Sequence, residues 1–189
     1  MSNITNHMRI LGIVGSPRRN GNTEILIDEV LHGAEETGAE VEKVILSELD
    51  IRPCRACNAC RKTGKCVQQD DMAKLLEQMQ SNQMWVLGTP VYYFGPTAQF
   101  KAFIDRWYGG GTATFKGQSV VLVIPFEDPN INGARHTVGI LEDTLAFKKM
   151  ELLTTILAPG VLRPGEVRKH PDVLGTAHRA GREAVEMSY

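Results

Sequence analysis

Four cysteines, Cys54, Cys57, Cys60 and Cys66, fall within one short stretch, and the chain has no others. Spaced Cys-x2-Cys-x2-Cys, the first three can turn their thiolates toward one small inorganic cluster from a single tight loop, and the fourth arrives after the Lys62-Thr63-Gly64 turn. Ferredoxin-type clusters use similarly compact spacing. Zinc more often takes two separated pairs, which makes it a less natural but open alternative. Vacant or redox-active thiols are a third. Arg55, Arg61, Lys62 and Lys65 surround the run, where positive charge favours thiolates and offsets the charge of a ligated cluster. Such crowding suits a reducing compartment better than it suits structural disulfides.

A second stretch, Gly15-Ser16-Pro17-Arg18-Arg19-Asn20-Gly21-Asn22-Thr23, lies between the apolar run Ile10 to Val14 and a segment of helical periodicity that begins at Glu24. Strand, turn and helix start in that order make an anion cradle, because helix-start amides have no intrahelical partner and carry partial positive charge. Ser16, Asn22 and Thr23 add neutral donors, and Arg18 adds a planar guanidinium suited to phosphate. A triphosphate loop needs G-x4-G-K-[ST], and the dinucleotide fingerprint needs G-x-G-x-x-G. Here five residues separate Gly15 from Gly21 and Asn22 stands where the lysine would, so a monophosphate fits best. The plainer reading is a capped turn, since Asn and Thr are good N-cap residues.

The bulk of the chain narrows the partners. Its 189 residues fit a single domain, 1–189, with the cysteines on an insertion loop at 47–69, and 42 % apolar with 23 % charged residues is ordinary globular composition. A net charge of −1 argues against nucleic acid, which needs a basic face, and gives no electrostatic reason for membrane attachment. Met1 to His7 lacks the basic-then-apolar layout of a secretion signal, and no apolar run approaches the ~18 residues of a membrane span. A cytoplasmic location is expected.

Apolar runs at Arg9 to Val14, Val41 to Leu46, Met84 to Gly88, Ser119 to Ile124 and Thr154 to Ala158 read as strands. Between them, Ile27-Val30-Leu31-Ala34, Met72-Leu75-Leu76-Met79, Phe100-Phe103-Ile104-Trp107 and a less regular Thr137 to Met150 read as helices, and a last helix carries Ala177, Ala180, Ala184 and Met187. Gly38 supplies a C-cap for the first helix and Gly109-Gly110-Gly111 ends the one after Pro96, while Asp70-Asp71 suit the dipole of a helix start. Alternating strands and helices imply an α/β fold with a parallel sheet covered on both faces. Ligands of such folds bind beyond the carboxyl ends of the strands, so the Gly15 loop, the Pro90 loop and the Phe126 to Arg135 loop should line one crevice.

Gly15-Ser16-Pro17-Arg18 with Gly21-Asn22-Thr23, and Pro90-Val91-Tyr92-Tyr93 with Lys101-Ala102-Phe103-Ile104-Asp105-Arg106, resemble the flavodoxin-like NAD(P)H-dependent FMN reductase family. The resemblance extends to Pro164-Gly165-Glu166-Val167 and Ala177 to Gly181. It is nearest to the iron-sulfur flavoprotein branch, whose compact cysteine motif is similar to Cys54, Cys57, Cys60 and Cys66. It implies a three-layer α/β/α sandwich with a five-stranded sheet of order 2-1-3-4-5. It also implies FMN bound without covalent attachment, NAD(P)H as co-substrate, a [4Fe-4S] cluster on the four cysteines, and dimers or tetramers in which a neighbouring protomer completes the flavin site. By motif position Ser16, Arg18, Gly21, Asn22 and Thr23 hold the phosphate, and Pro90, Val91, Tyr92, Tyr93 and Gly95 lie along the isoalloxazine ring.

The expected activity is FMN-dependent oxidoreduction, for which the flavin supplies the chemistry and no separate catalytic residue is needed. An electron carrier working with a ferredoxin-type partner and a redox-responsive flavin-binding protein without turnover are the alternatives. Lys101, Asp105 and Arg106 read as a helix surface with a Lys101–Asp105 pair. His7, His32, His136, His170 and His178 show no ligand spacing and read as surface or structural residues.

Overall fold

In a computed structural model, which describes residues 7–110 and 115–187, five strands form one parallel sheet. β1 (Arg9–Val14), β2 (Glu40–Ile45), β3 (Met84–Gly88), β4 (Ser119–Pro125) and β5 (Glu151–Ala158) lie in the order β2-β1-β3-β4-β5. Each pair of neighbours is parallel, so every connection must cross over a face. The crossovers carry α1 (Asn22–Glu36), then α2 (Ala59–Thr63) with α3 (Met72–Gln80), then α4 (Ala98–Asp105), then α5 (Arg135–Phe147); α6 (Pro171–Glu186) follows β5. The expected three-layer sandwich and strand order are both present.

β1, β3 and β4 are apolar almost throughout, yet the pleat sorts their side chains. Ile10, Val14, Met84, Val86, Val121 and Val123 share one core with α1 and α6. Leu11, Ile13, Trp85, Leu87, Val120 and Leu122 share the other with α3, α4 and α5. The two outer strands carry Glu40, Glu42, Lys43 and Glu151, charges that discourage another chain from pairing with an open edge.

Element limits differ from expectation where local conformation decides. α1 begins at Asn22, two residues before Glu24, because Gly21 serves as the N-cap. Gly38, at φ +94°, is the left-handed residue just past Thr37, which is itself the C-cap. α5 stops at Phe147 because Lys149 turns the chain at φ +58°, and β5 accordingly starts at Glu151. Of the expected Gly109-Gly110-Gly111 stop, a 3-10 turn over Arg106–Gly110 is described and Gly111 lies outside the described residues. Among the described residues no helix is long and apolar enough to cross a membrane.

α1 and α6 touch backbone to backbone. A Cβ on Gly33 would come within 2.0 Å of the His178 carbonyl oxygen, and one on Gly181 within 1.9 Å of that of Val30. Only glycine permits this crossing.

Candidate functional site

Beyond the carboxyl ends of the strands lies a cleft of about 350 Å³. Ser16, Arg18, Asn22 and Thr23 line one end, and Pro90, Val91, Tyr92 and Tyr93 another. Gly21 and Gly95 are not in the lining; each shapes a turn beside it. The third wall comes from Pro125 at the end of β4 with Phe126 and Glu127 just after it, and Val161 and Leu162 after β5 complete the lining. Of these residues, only Phe126 and Glu127 belong to the loop expected at the crevice, and neither carried a predicted site role.

Two buried threonines fix the distance between the first two walls. Thr97 Oγ1 donates to the Gly15 carbonyl at 2.6 Å and accepts from Phe100 N–H at 3.2 Å, so one hydroxyl caps α4 and holds the Gly15 loop. Thr89 Oγ1 accepts from Thr97 N–H at 3.1 Å. Gly15 N–H donates to Gly88 C=O at 2.7 Å, and a Cβ on Gly15 would lie 2.4 Å from the Phe100 ring. No sequence spacing signals Thr89 or Thr97 as positioning residues.

The α1 ladder starts with Ile25 N–H to Gly21 C=O, so the amides of Asn22, Thr23 and Glu24 precede it, and Gly21 has no side chain to cap them. Ser16 Oγ accepts from Arg18 N–H at 3.2 Å and keeps its own proton to donate. The Arg18 guanidinium spends one N–H on Leu162 C=O at 2.7 Å. Asn22 lines the cleft, but its side chain is engaged within the chain: it donates to Arg163 C=O at 3.0 Å and accepts from Val167 N–H at 3.1 Å, clamping the connector before α6. Glu24 is buried behind the loop, where its carboxylate accepts from Asn20 N–H at 2.6 Å and meets Lys43 Nζ at 3.0 Å. Burial alone would raise its pKa, but the bonds from Lys43, Asn20 and Arg19 outweigh it and hold the carboxyl below its usual range.

Tyr92 and Gly95 exchange both backbone bonds around a tight turn in which Tyr93 and Phe94 take φ +47° and +66°. Left-handed backbone costs an L-residue roughly 1–2 kcal/mol. Thr137 Oγ1, donating to Phe94 C=O at 3.0 Å, helps hold the turn. Tyr93 is fully exposed at the cleft mouth.

The cysteine segment lies elsewhere, and none of its residues lines the cleft. Cys60 is half-buried on α2, and the other three are exposed. The segment packs against the turn that ends α4: a Cβ on Gly109 would lie 3.7 Å from Cys60 Cβ and 3.8 Å from Cys66 Cβ. Arg106, expected on a helix surface, is buried instead. It meets Asp70 through two contacts at 2.5 and 3.0 Å, with side-chain exposures of 2 % and 0 %, donates to Arg52 C=O at 2.8 Å, and places Nη2 3.5 Å from Cys66 Sγ. Its Nε is buried without a partner. Asp70 accepts from Met72 N–H at the start of α3, as expected, and also pairs with Arg106; burial would raise its pKa, but Arg106 and the Arg52 and Met72 amides hold it low. Lys101 and Asp105 do pair as expected, at 2.6 Å.

Residues 8–146 match the model of the family described as NADPH-dependent FMN reductase. The chain belongs to that family. Among curated relatives, this FMN reductase family member is 43 % identical over 112 residues to an iron-sulfur flavoprotein of Archaeoglobus fulgidus, covering 59 % of this chain and 51 % of that one. It is 26 % identical over 181 residues to a Bacillus subtilis protein, YwqN, named for NAD(P)H-dependent FMN-containing oxidoreductase activity, covering 91 % and 96 %. The chain spans about half the length of the iron-sulfur flavoproteins it matches. An NAD(P)H:quinone oxidoreductase from Methanothermobacter marburgensis shares the fold, with a TM-score of 0.76, 17 % identity, and 93 % and 98 % of the two chains covered.

The residues of this FMN reductase family member fit the family's cofactor. Uncapped first-turn amides, a free Ser16 hydroxyl and Arg18 suit a phosphate, and the Pro90 to Tyr93 wall suits a flat ring. At the cysteines, the Arg106 guanidinium, with Nη2 3.5 Å from Cys66 Sγ and Nε unpartnered, suits an anionic group seated on thiolates. A single tetrahedral zinc, with Zn–S near 2.3 Å, needs sulfurs about 3.8 Å apart. Among the described residues no three of these sulfurs gather within 4.8 Å of one another.

Proposed function

We propose that the chain binds FMN without covalent attachment in the cleft between the Gly15, Pro90 and Phe126 loops and passes electrons from NADPH or NADH to an acceptor. The reading is carried by one observation: a helix N-terminus with uncapped amides and a Pro-bearing aromatic wall meet in a single cleft, matching a molecule with phosphate at one end and a flat ring at the other. Bound flavin would supply hydride acceptance and electron release. The chain supplies place and access. Ser16, Thr23, the backbone at Gly21 and Asn22, and Arg18 hold the phosphate; Pro90, Val91, Tyr92 and Tyr93 lie along the ring with Gly95 setting their turn; Thr97 and Thr89 keep the two groups of residues at a fixed separation. In the test, the purified protein absorbs as a flavoprotein and bleaches anaerobically when NADPH or NADH is added. A flavoprotein that neither nucleotide bleaches, but that reduced ferredoxin does, is a carrier; one reduced by none of them is a binding protein without turnover.

A second element rests on Arg106. A buried guanidinium beside Cys66, with an orphaned N–H, supports Cys54, Cys57, Cys60 and Cys66 as ligands of a [4Fe-4S] cluster, which would supply single-electron steps and suit a ferredoxin-type protein partner. Anaerobic iron and sulfide analysis beside Cys57→Ala, with an EPR spectrum, tests it; iron contents equal in the two proteins would sink the assignment. Exposed Tyr93 and Phe94 at the cleft mouth support closure by a second copy in a homodimer or homotetramer. Free thiols of this kind fit a cytoplasmic location.

A further inference from the structure

We propose that Glu29, His32 and His178 form a binding site for a zinc-like divalent cation that clasps α1 to α6. Glu29, His32 and Glu36 share one side of α1 through their i, i+3, i+7 spacing, and His178 reaches it from α6. One ligand atom from each of Glu29, His32 and His178 lies within 4.8 Å of the others, the one such set of three among the described residues. The two rings meet edge-on at 5.3 Å between centroids. Two histidines and a carboxylate with an open fourth position for water are a zinc donor set, and a tetrahedral ion with bonds near 2.1 Å needs ligand atoms about 3.4 Å apart. His32 is exposed, and Glu29 and His178 are half-buried, so side-chain rotation is free to close that gap.

Two details favour a built site over a solvated ion-pair face. His178 Nδ1 is 3.9 Å from the Glu29 carboxylate, while Nε2 is 3.0 Å from Glu36. Coordination through Nδ1 leaves Nε2–H to Glu36, the carboxylate–histidine–metal arrangement that fixes a ligand's ring and tautomer, and Arg182 holds Glu36 from beyond at 3.8 Å. The glycine crossing then sets the height of His178. With Gly33 against His178 C=O and Gly181 against Val30 C=O, the two helices are in backbone contact beside the ligands, which stand on regular helix on both sides. The site is independent of the flavin reading and shares no residue with the cleft or the cysteine segment.

Because thiolates also take zinc, Zn²⁺ is titrated by calorimetry into the full chain with all four cysteines changed to serine, and into the unaltered chain. The serine variant should bind one Zn²⁺ per chain with micromolar affinity, weakened at least tenfold by His178→Gln and by His32→Gln, and zinc should raise its melting temperature but not that of either histidine variant. In the unaltered chain, whatever the serine variant's folding, His178→Gln should lower the zinc stoichiometry by one. A folded serine variant that takes no zinc, or histidine variants that bind as the parent does, would overturn the site.

Discussion

The phosphate-end loop is held by the sheet itself, whereas the cysteine segment hangs from its own base. Gly15 bonds to the backbone of the neighbouring strand, and Thr97 pins it from α4 through a fully buried hydroxyl. Every anchor there is also a fold contact, so the cleft cannot loosen without disturbing the core. Residues 50–71 instead close on themselves at the root: Asp71 accepts from Asp50 N–H at 2.8 Å, Asp70 accepts from Arg52 N–H at 3.1 Å, and Arg106 joins both sides. Above that root the thiols are mostly exposed. One region has its geometry imposed by topology; the other has it imposed by a buried ion pair and the side-chain to backbone bonds gathered around it.

Breaking the pair should have the largest effect. Arg106→Met leaves Asp70 buried and unpaired, at a cost of about 3–5 kcal/mol. Urea unfolding should show the loss, and limited proteolysis should cut within residues 50–71; a loss under about 1 kcal/mol would mean the segment is anchored elsewhere. Acid does the same by degrees. Asp70 and Glu24 both have pKa values lowered by folding, so their stabilisation is complete above the unfolded carboxyl values near 4 and is lost as pH falls through the lower folded ones. The urea midpoint should therefore drop below about pH 4, and less steeply in Arg106→Met.

The cleft's dependence on the core is tested by Gly15→Ala, whose Cβ meets both the Phe100 ring and the Gly88 carbonyl. It should cost about 1–3 kcal/mol and weaken flavin retention together; retention unchanged at lowered stability would separate the two. Arg18→Ala should leave stability alone and weaken FMN binding roughly tenfold, about 1.4 kcal/mol, by fluorescence titration. Lys101→Ala, which removes an exposed pair on α4, should change stability by less than about 1 kcal/mol.

The same contrast explains what was legible. Strands and helix faces announce themselves through apolar periodicity, and cleft residues are legible because they follow strands directly: Ser16 sits two residues past Val14, and Pro90 two past Gly88. Long-range polar pairings leave no such trace. The i, i+4 rule found Lys101–Asp105, but the next residue around the helix, Arg106, turns inward to a partner on another element, and nothing in its local spacing says so. His32 and His178 look scattered for the same reason; only the crossing of the first and last helices brings them together. Asn22 reads from its motif as a neutral donor to the phosphate, yet its side chain serves the connector before α6, a contact visible only once β5 is in place.

The Gly33–Gly181 crossing also bears on how the molecule is made. α1 precedes α6 by most of the sheet, so the groove over Gly33 stays uncovered during synthesis until residues 171–186 have left the ribosome. Val30 and Ala34, buried in the finished fold, remain open to solvent, or to a chaperone, until residues 171–186 arrive to cover α1.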